Sequence, residues 1–333
     1  MQIHEIISLL EQIDAKLVVL LCHHNADPDA VYSAFAFSRL LERLRPSLTI
    51  EIAAVQGPSR LSKFSMKSLP LKLVEEPHIE DANAIILLDT NTLQQLDEWS
   101  ERVKKSTAPL IVIDHHASHP ETESMARIYI SNESASSTCE IVHELFKEIE
   151  TQPDEIEAKA LFLGIAFDTR HFVLAKSSTL KTVADLINAG VNAEETLALL
   201  SLPMEPPERI ARLKACQRAK LAKVKGWLVV CSQVKAYQAS AARSLVASGA
   251  DVVFVAGQKT DKLQISMRSS RNFYEKTRIH LGRDVANPIG EYLQGMGGGH
   301  AVSAGANGTG DVETTLKQCL ELVKERLIKI PFG

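Results

Sequence analysis

The run AKLVVLLCHHNADPDA, residues 15–30, joins an unbroken apolar stretch, LVVLLC (17–22), to His23, His24, Asn25, Asp27 and Asp29. A short apolar run of this kind reads as a strand buried on both faces. The polar residues after it read plainly as a turn, and more sharply as a metal or phosphate site delivered by the strand.

Three further runs share the pattern: LTIEIAAV (48–55), NAIILLDT (83–90) and APLIVIDHH (108–116). Between the first two lies VYSAFAFSRLLERL (31–44), whose apolar residues recur at helical spacing. Strands alternating with helices predict an α/β fold with a doubly wound, mainly parallel sheet. Sites in such sheets form beyond the carboxyl ends of the strands. Three of the four runs end there in acids or histidines: Asp27 and Asp29, then Asp89, then Asp114 with His115 and His116.

From 135 to about 223 the pattern is mainly helical, in SSTCEIVHELFKEIE (136–150), EIEAKALFLGIAF (155–167), STLKTVADLINAG (178–190), AEETLALLS (193–201) and ERIARLKACQRAKLAKV (208–224). The segment ESASSTCE (133–140) reads as a helix start with serine and threonine caps. Gly190 and the prolines of LPMEPPE (202–208) punctuate the stretch. Strands return with WLVVCSQV (227–234), DVVFVAGQ (251–258) and LQISMRSS (263–270), followed by GMGGGH (295–300) and a closing helix, TTLKQCLELVKERL (314–327). The expected organisation is a first domain over 1–190, a helical linker over 191–225, and a smaller α/β domain with a mixed sheet over 226–333.

A chain of 333 residues, 45% of them apolar, is long enough for two cores. Its net charge of −4 lacks the cationic excess that grips long duplex nucleic acid. Aromatic residues, 5% of the total, are too few to stack successive bases along a long strand. The five cysteines are scattered with no CxxC pair, which suits a reducing cytoplasm and argues against a cysteine zinc site. No apolar stretch approaches bilayer length, and the acidic N-terminus reads as an amphipathic helix instead of a signal peptide. A cytoplasmic protein without a membrane partner is expected. No GxGxxG follows the first strand and no GxxxxGK[ST] loop occurs, which argues against a dehydrogenase and an ATPase.

Asp27, Asp29, Asp89 and Asp168, the last within GIAFDTRHF (164–172), could meet at one end of the sheet. Gathered there alone they would repel, and some of their pKa values would rise sharply. Two divalent cations would balance the charge, with histidines as neutral ligands. The mixed His and Asp set suits manganese, with magnesium or cobalt as alternatives. Two metals about 3.5–4 Å apart can hold a hydroxide between them and polarise a phosphoryl oxygen, the arrangement used to hydrolyse phosphate esters. Singly, Asp89 reads as a cap or turn residue, a His-His pair as solvated surface and Asp168 as a cap. Their co-occurrence in this order is what points to a site.

The motifs His23-HNA-Asp27-P-Asp29, Leu88-Asp89-Thr90, Asp114-His115-His116, Phe167-Asp168-Thr169 and Gly297-Gly298-Gly299-His300 together resemble the DHH superfamily of phosphoesterases, in its branch with a C-terminal DHHA1 domain. The resemblance implies that His23, Asp27 and Asp89 hold one metal. Asp29, Asp89, His115 and Asp168 would hold the other, with Asp89 as the bridge. It further implies that His116 faces the scissile phosphate as hydrogen-bond donor or proton carrier, and that Asp114 fixes ligand orientation. Two positions depart from the family pattern: Pro28 stands where many relatives have glycine, and Ala301 where oligoribonuclease-like members often carry a basic residue.

A glycine run lets backbone approach a ligand and offers N–H groups to anionic oxygens. In the family context Gly297, Gly298, Gly299 and His300 look like a substrate clamp. Arg268 would meet a terminal phosphate or base through its planar fork, with Ser269 adding a hydroxyl. The expected activity is hydrolysis of small nucleotide substrates in a cleft between the domains, foremost short single-stranded oligonucleotides cut to mononucleotides. Cyclic dinucleotides or their linear products, and 3′-phosphoadenosine 5′-phosphate, are the rival substrates. A homodimer is compatible with this reading. A non-catalytic nucleotide-binding regulator is disfavoured because the complete ligand set is present.

Overall fold

The computed structural model describes residues 2–260 and 262–329. The chain divides into two compact units, Met1–Leu202 and Pro203–Gly333, each with its own sheet.

In the first unit, α1 (Gln2–Gln12) precedes β1 (Leu17–Cys22), α2 (Pro28–Leu44) and β2 (Thr49–Ala54). β3 (Ala84–Leu88), β4 (Leu110–Asp114) and β5 (Ala126–Ser131) come next, then α3 (Thr138–Glu148) and α4 (Glu155–Asp168). The five strands are all parallel, in the order β2-β1-β3-β4-β5. Alternate residues of β1 enter separate cores: Val18, Leu20 and Cys22 pack with α1–α4, while Val19 and Leu21 pack with Leu93, Leu96, Trp99 and Val103 on the opposite face. Burial on both faces explains why these strands are continuous apolar runs. The chain leaves β1 for β2 on one side and returns to β3 on the other, so the topological switch point lies between β1 and β3. That is where an open parallel sheet offers a crevice at its carboxyl edge.

Pro28 has a local explanation. It occupies the first turn of α2, where its fixed φ suits the helix and no N–H is needed, and Asp27 is the N-cap, accepting from the Asp29 and Ala30 amides. The motif-one loop therefore runs straight into a helix, with the Asp-x-Asp spacing intact.

The second unit carries α5 (Pro206–Gln217), β6 (Lys220–Val224), β7 (Trp227–Gln233), α6 (Gln238–Ala247), β8 (Val252–Lys259) and β9 (Lys262–Ser269). After short helical segments come β10 (Met296–Gly299), β11 (Ser303–Thr309) and α7 (Val312–Lys329). The sheet order is β10-β11-β9-β8-β7-β6, with β7–β8 parallel and the remaining pairs antiparallel. The α/β class and the mixed second sheet match the expectation.

The unit boundary falls between Leu202 and Pro203, so the 191–225 stretch is shared: its first part packs in the first unit, while α5 and β6 belong to the second. The helical reading of 208–224 holds only to Gln217: Lys220–Val224 is instead strand β6, and Lys225 and Gly226, both at positive φ, turn it into β7. β5, β10 and β11 were not foreseen; β5 and β10 are short edge strands that lack a continuous apolar run.

Candidate metal centre

Motif one leaves β1 with its backbone pinned: the His24 and Asn25 amides donate to Gln95 O and Val55 O. His23 Nδ1 lies 2.9 Å from the His24 carbonyl, which can only accept, so Nδ1 carries the proton and the Nε2 lone pair is free to bind a cation. That Nε2 stands 4.0 Å from Asp27 Oδ1 and 3.8 Å from Asp89 Oδ2.

Asp29, at the second position of α2, is fully buried. Its two oxygens accept from the first amides of α3, Thr138 N at 2.6 Å and Cys139 N at 3.0 Å. A helix N-terminus thus holds this carboxylate in place. Asp89 follows β3 with φ 53°, donates its amide to Ile113 O and accepts from Thr138 Oγ1 at 2.9 Å. His115 Nε2 lies 3.1 Å from Asp168 Oδ2, 3.5 Å from Asp89 Oδ1 and 3.9 Å from Asp29 Oδ2. It is buried, yet makes no hydrogen bond among the described residues.

These residues fit metal. Donor atoms roughly 2.0–2.2 Å from one ion stand about 3–4 Å from each other, the spacing seen here. His23, Asp27 and Asp89 converge as one group, and Asp29, His115 and Asp168 as another. Asp89 turns Oδ2 to the first and Oδ1 to the second. Burial, together with mutual repulsion among Asp27, Asp29, Asp89 and Asp168, pushes the Asp29 and Asp89 carboxyls well above the usual range. Asp27 is raised by burial and by Asp168. Cations would remove both penalties, and the His115 nitrogen would gain the partner it lacks.

His116 points its Nδ1 at Asp114 Oδ1, 2.7 Å away, and its backbone amide donates to the same oxygen at 2.8 Å. The Asp114 hydrogen bond is the main cause that lifts His116 to about 9. Asp114 is fully buried while the His116 ring is half exposed, so the carboxylate positions and the imidazole presents its other nitrogen outward.

The second group of sequence-predicted residues lies in the second unit. Arg268 and Ser269 end β9, and Arg268 Nη1 donates to Met267 O and, at 3.4 Å, to Ala304 O. Ala304 is the register partner of Gly299, so Arg268 and the glycines share one end of the sheet. His300 follows at that end, its amide donating to Ser303 O. Ser269 Oγ is buried without a hydrogen-bond partner among the described residues. The glycines are strand residues, not a flexible turn. A Cβ on Gly297 would collide with Ala286 O and one on Gly299 would stand 2.6 Å from Ala304 Cα, whereas on Gly298 the nearest atom is 3.7 Å away. Packing accounts for two of the three glycines and leaves Gly298 open.

Sequence reasoning passed over Thr138 and Gly164. The capping signature before α3 is real, with Ser137 Oγ accepting from Glu140 N, but Thr138 beside it also serves Asp89. Gly164 on α4 admits Asp29: a Cβ there would collide with Cys139 Sγ and stand 2.8 Å from Asp29 Oδ1.

The model of the DHH family, N-terminal domain, matches residues 17–165, the span from β1 into α4 that carries all the metal-directed residues except Asp168. An uncharacterized protein of Methanocaldococcus jannaschii is 32% identical over 96% of this chain and 97% of its own length. The chain belongs to the DHH family of phosphoesterases. Within the wider similarity, a probable manganese-dependent inorganic pyrophosphatase of Streptococcus suis is 31% identical over 54% of this chain and 58% of that protein. The fold is shared with an exopolyphosphatase-related protein from Bacteroides fragilis, with a TM-score of 0.60, 20% identity and 98% of each chain covered. Among the described residues of this DHH-family chain no helix is long and apolar enough to cross a membrane.

Proposed function

We propose that this DHH-family chain is a phosphoesterase that hydrolyses short single-stranded oligonucleotides to mononucleotides, using two divalent cations with manganese preferred. The observation that carries the reading is the double orientation of Asp89, with one carboxylate oxygen toward each of two His/Asp groups. His23, Asp27 and Asp89 would hold one cation, and Asp29, Asp89, His115 and Asp168 the other. When bound, such a pair supplies Lewis acidity, lowering the pKa of water and neutralising charge on phosphoryl oxygens. Manganese is favoured by the mixed nitrogen and oxygen donors and by the manganese-dependent streptococcal relative.

The chain's own residues provide the rest. His116, protonated and hydrogen-bonded to Asp114, donates a hydrogen bond to the scissile phosphate and a proton toward the leaving oxygen. Asp114 keeps the imidazole oriented and stabilises its charge. In the second unit, Arg268 and Ser269 are the candidate phosphate ligands, Gly298 leaves room for a ligand against the backbone, and His300 lies at the same end of the sheet.

The test is to incubate purified protein and manganese with di- to decanucleotides, 3′-phosphoadenosine 5′-phosphate, cyclic dinucleotides and inorganic pyrophosphate, then identify products. Mononucleotides released from oligonucleotides are expected; exclusive turnover of pyrophosphate would overturn the substrate assignment. Asp89→Ala should abolish both bound metal and turnover, read by elemental analysis and rate. A variant that stays active would remove the bridge. Arg268→Ala should chiefly raise KM.

A further inference from the structure

A cationic helix is fastened to the metal-binding loop. Between Glu51 and Glu75 the chain has no acidic residue and four basic ones, Arg60, Lys63, Lys67 and Lys72. The short helix Arg60–Ser65 carries Lys63, and the 3-10 turn Met66–Ser68 that continues it carries Lys67, four residues on. Both lysines are exposed, and neither side chain has an ion pair or hydrogen bond among the described residues. Several cations elsewhere in the unit are paired: Arg39 and Arg43 with Asp154 and Glu157, Arg102 with Glu80, Lys104 with Glu121.

The inner face of this helix is a set of polar anchors. Ser59 N and Ser62 Oγ both donate to Ala26 O, at 2.7 and 2.8 Å, and Ala26 N donates to Gly57 O. Ser62 and Ser65 are buried, and the Tyr32 hydroxyl of α2 donates to Ser65 Oγ. Ala26 lies between His23 and Asp27, so the helix is held to the loop that supplies two of the metal-directed side chains. Apolar residues would suffice to bury a surface helix. Hydrogen bonds to one carbonyl fix its distance from the metal centre.

We infer that Lys63 and Lys67 bind phosphates of an oligonucleotide beyond the scissile one, so that the enzyme favours substrates of several nucleotides over dinucleotides. The inference rests on the function proposed above and names its substrate length. Two lysines suit a short strand, in keeping with a chain that has neither the charge nor the aromatic content to hold a long one.

The experiment measures kcat/KM of the full-length manganese enzyme on a pentanucleotide and a dinucleotide across 50–200 mM salt. The variants are Lys63→Gln/Lys67→Gln and, as control, Lys16→Gln, which alters an exposed lysine paired with Asp14 just before β1. The double variant should lose roughly tenfold on the pentamer and less than about twofold on the dimer. Its salt slope should be shallower by about 1.4, from ~0.7 per phosphate contact. The control should match wild type. An unchanged pentamer-to-dimer ratio in the double variant, with wild type active on both, overturns this inference and spares the proposed function. Wild type inactive on every nucleotide overturns both. Inorganic polyphosphate forms a third arm: a loss confined to it assigns the lysines to that polyanion and overturns the nucleotide assignment.

Discussion

Asp89 adopts a left-handed backbone, φ 53°, immediately after a strand. Such conformations cost a non-glycine residue of order 1–3 kcal/mol and persist where the surroundings hold them, here through Asp89 N to Ile113 O and Thr138 Oγ1 to Asp89 Oδ1. The result is a carboxylate set between two donor groups. His116 and Asp114 form the neighbouring pair, and their coupling can be measured. A histidine lifted to about 9 by its carboxylate carries its proton in the folded state over a range where the unfolded imidazole, near ~6.5, has lost it. The stabilisation it brings is complete below about 6.5 and disappears as pH rises through about 9. Asp114→Asn should bring the His116 titration in metal-free protein, followed by NMR of the ring protons, down toward ~6.5. A midpoint still near 9 would show that Asp114 is not the cause. The acids and histidines of this site were legible because each follows an apolar strand or closes a helix. Thr138 and Gly164 were not. Their roles exist only across contacts such as Thr138 N to Asp29, 109 residues away in sequence, and no local pattern announces a backbone amide or an absent side chain.

At the scale of elements, the parallel strands were readable because burial on both faces demands unbroken apolar runs, while one edge strand of the second unit, β10, was hidden by glycine. β10 pairs with β11 through Met296–Gly299, residues with little strand propensity. What places them there is the absence of side chains, which lets Gly297 lie against Ala286 and Gly299 against Ala304. This separates two substitutions that look equivalent in sequence. Gly297→Ala drives a Cβ into a carbonyl and should destabilise the second unit by about 1–3 kcal/mol, seen as a fall of several degrees in Tm. Gly298→Ala meets nothing closer than 3.7 Å and should leave Tm within experimental scatter while raising KM. Equal loss of stability in both would mean that strand packing, and not ligand approach, keeps Gly298. The β6–β7 hairpin was missed for a related reason: the helical pattern of α5 runs on into KLAKV, and only the two positive-φ residues at Lys225-Gly226 reverse the chain.

For the whole molecule, the six metal-directed residues all fall in the unit Met1–Leu202, whose sheet edge concentrates acid, and none in Pro203–Gly333. Metal-free protein should therefore be strained unevenly. Asp27, Asp29 and Asp89 have folded-state pKa values above the unfolded value of ~3.9. Above that pH the folded first unit holds more protons than the unfolded chain, so its stability falls as pH rises through the raised pKa values. Cations that replace those protons reverse the trend, and their binding must release protons, most at the acid end of the window. Calorimetric unfolding between about pH 5 and 8 should resolve the effect. Added manganese should stabilise the first unit, by about 2.7 kcal/mol where its concentration is a hundredfold over Kd for a single site, and at one fixed concentration by more as pH increases and Kd falls. The second unit's transition should stay where it is. A manganese shift that is independent of pH, or that moves both transitions alike, would place the bound metal away from these carboxylates and leave their burial without a compensating charge.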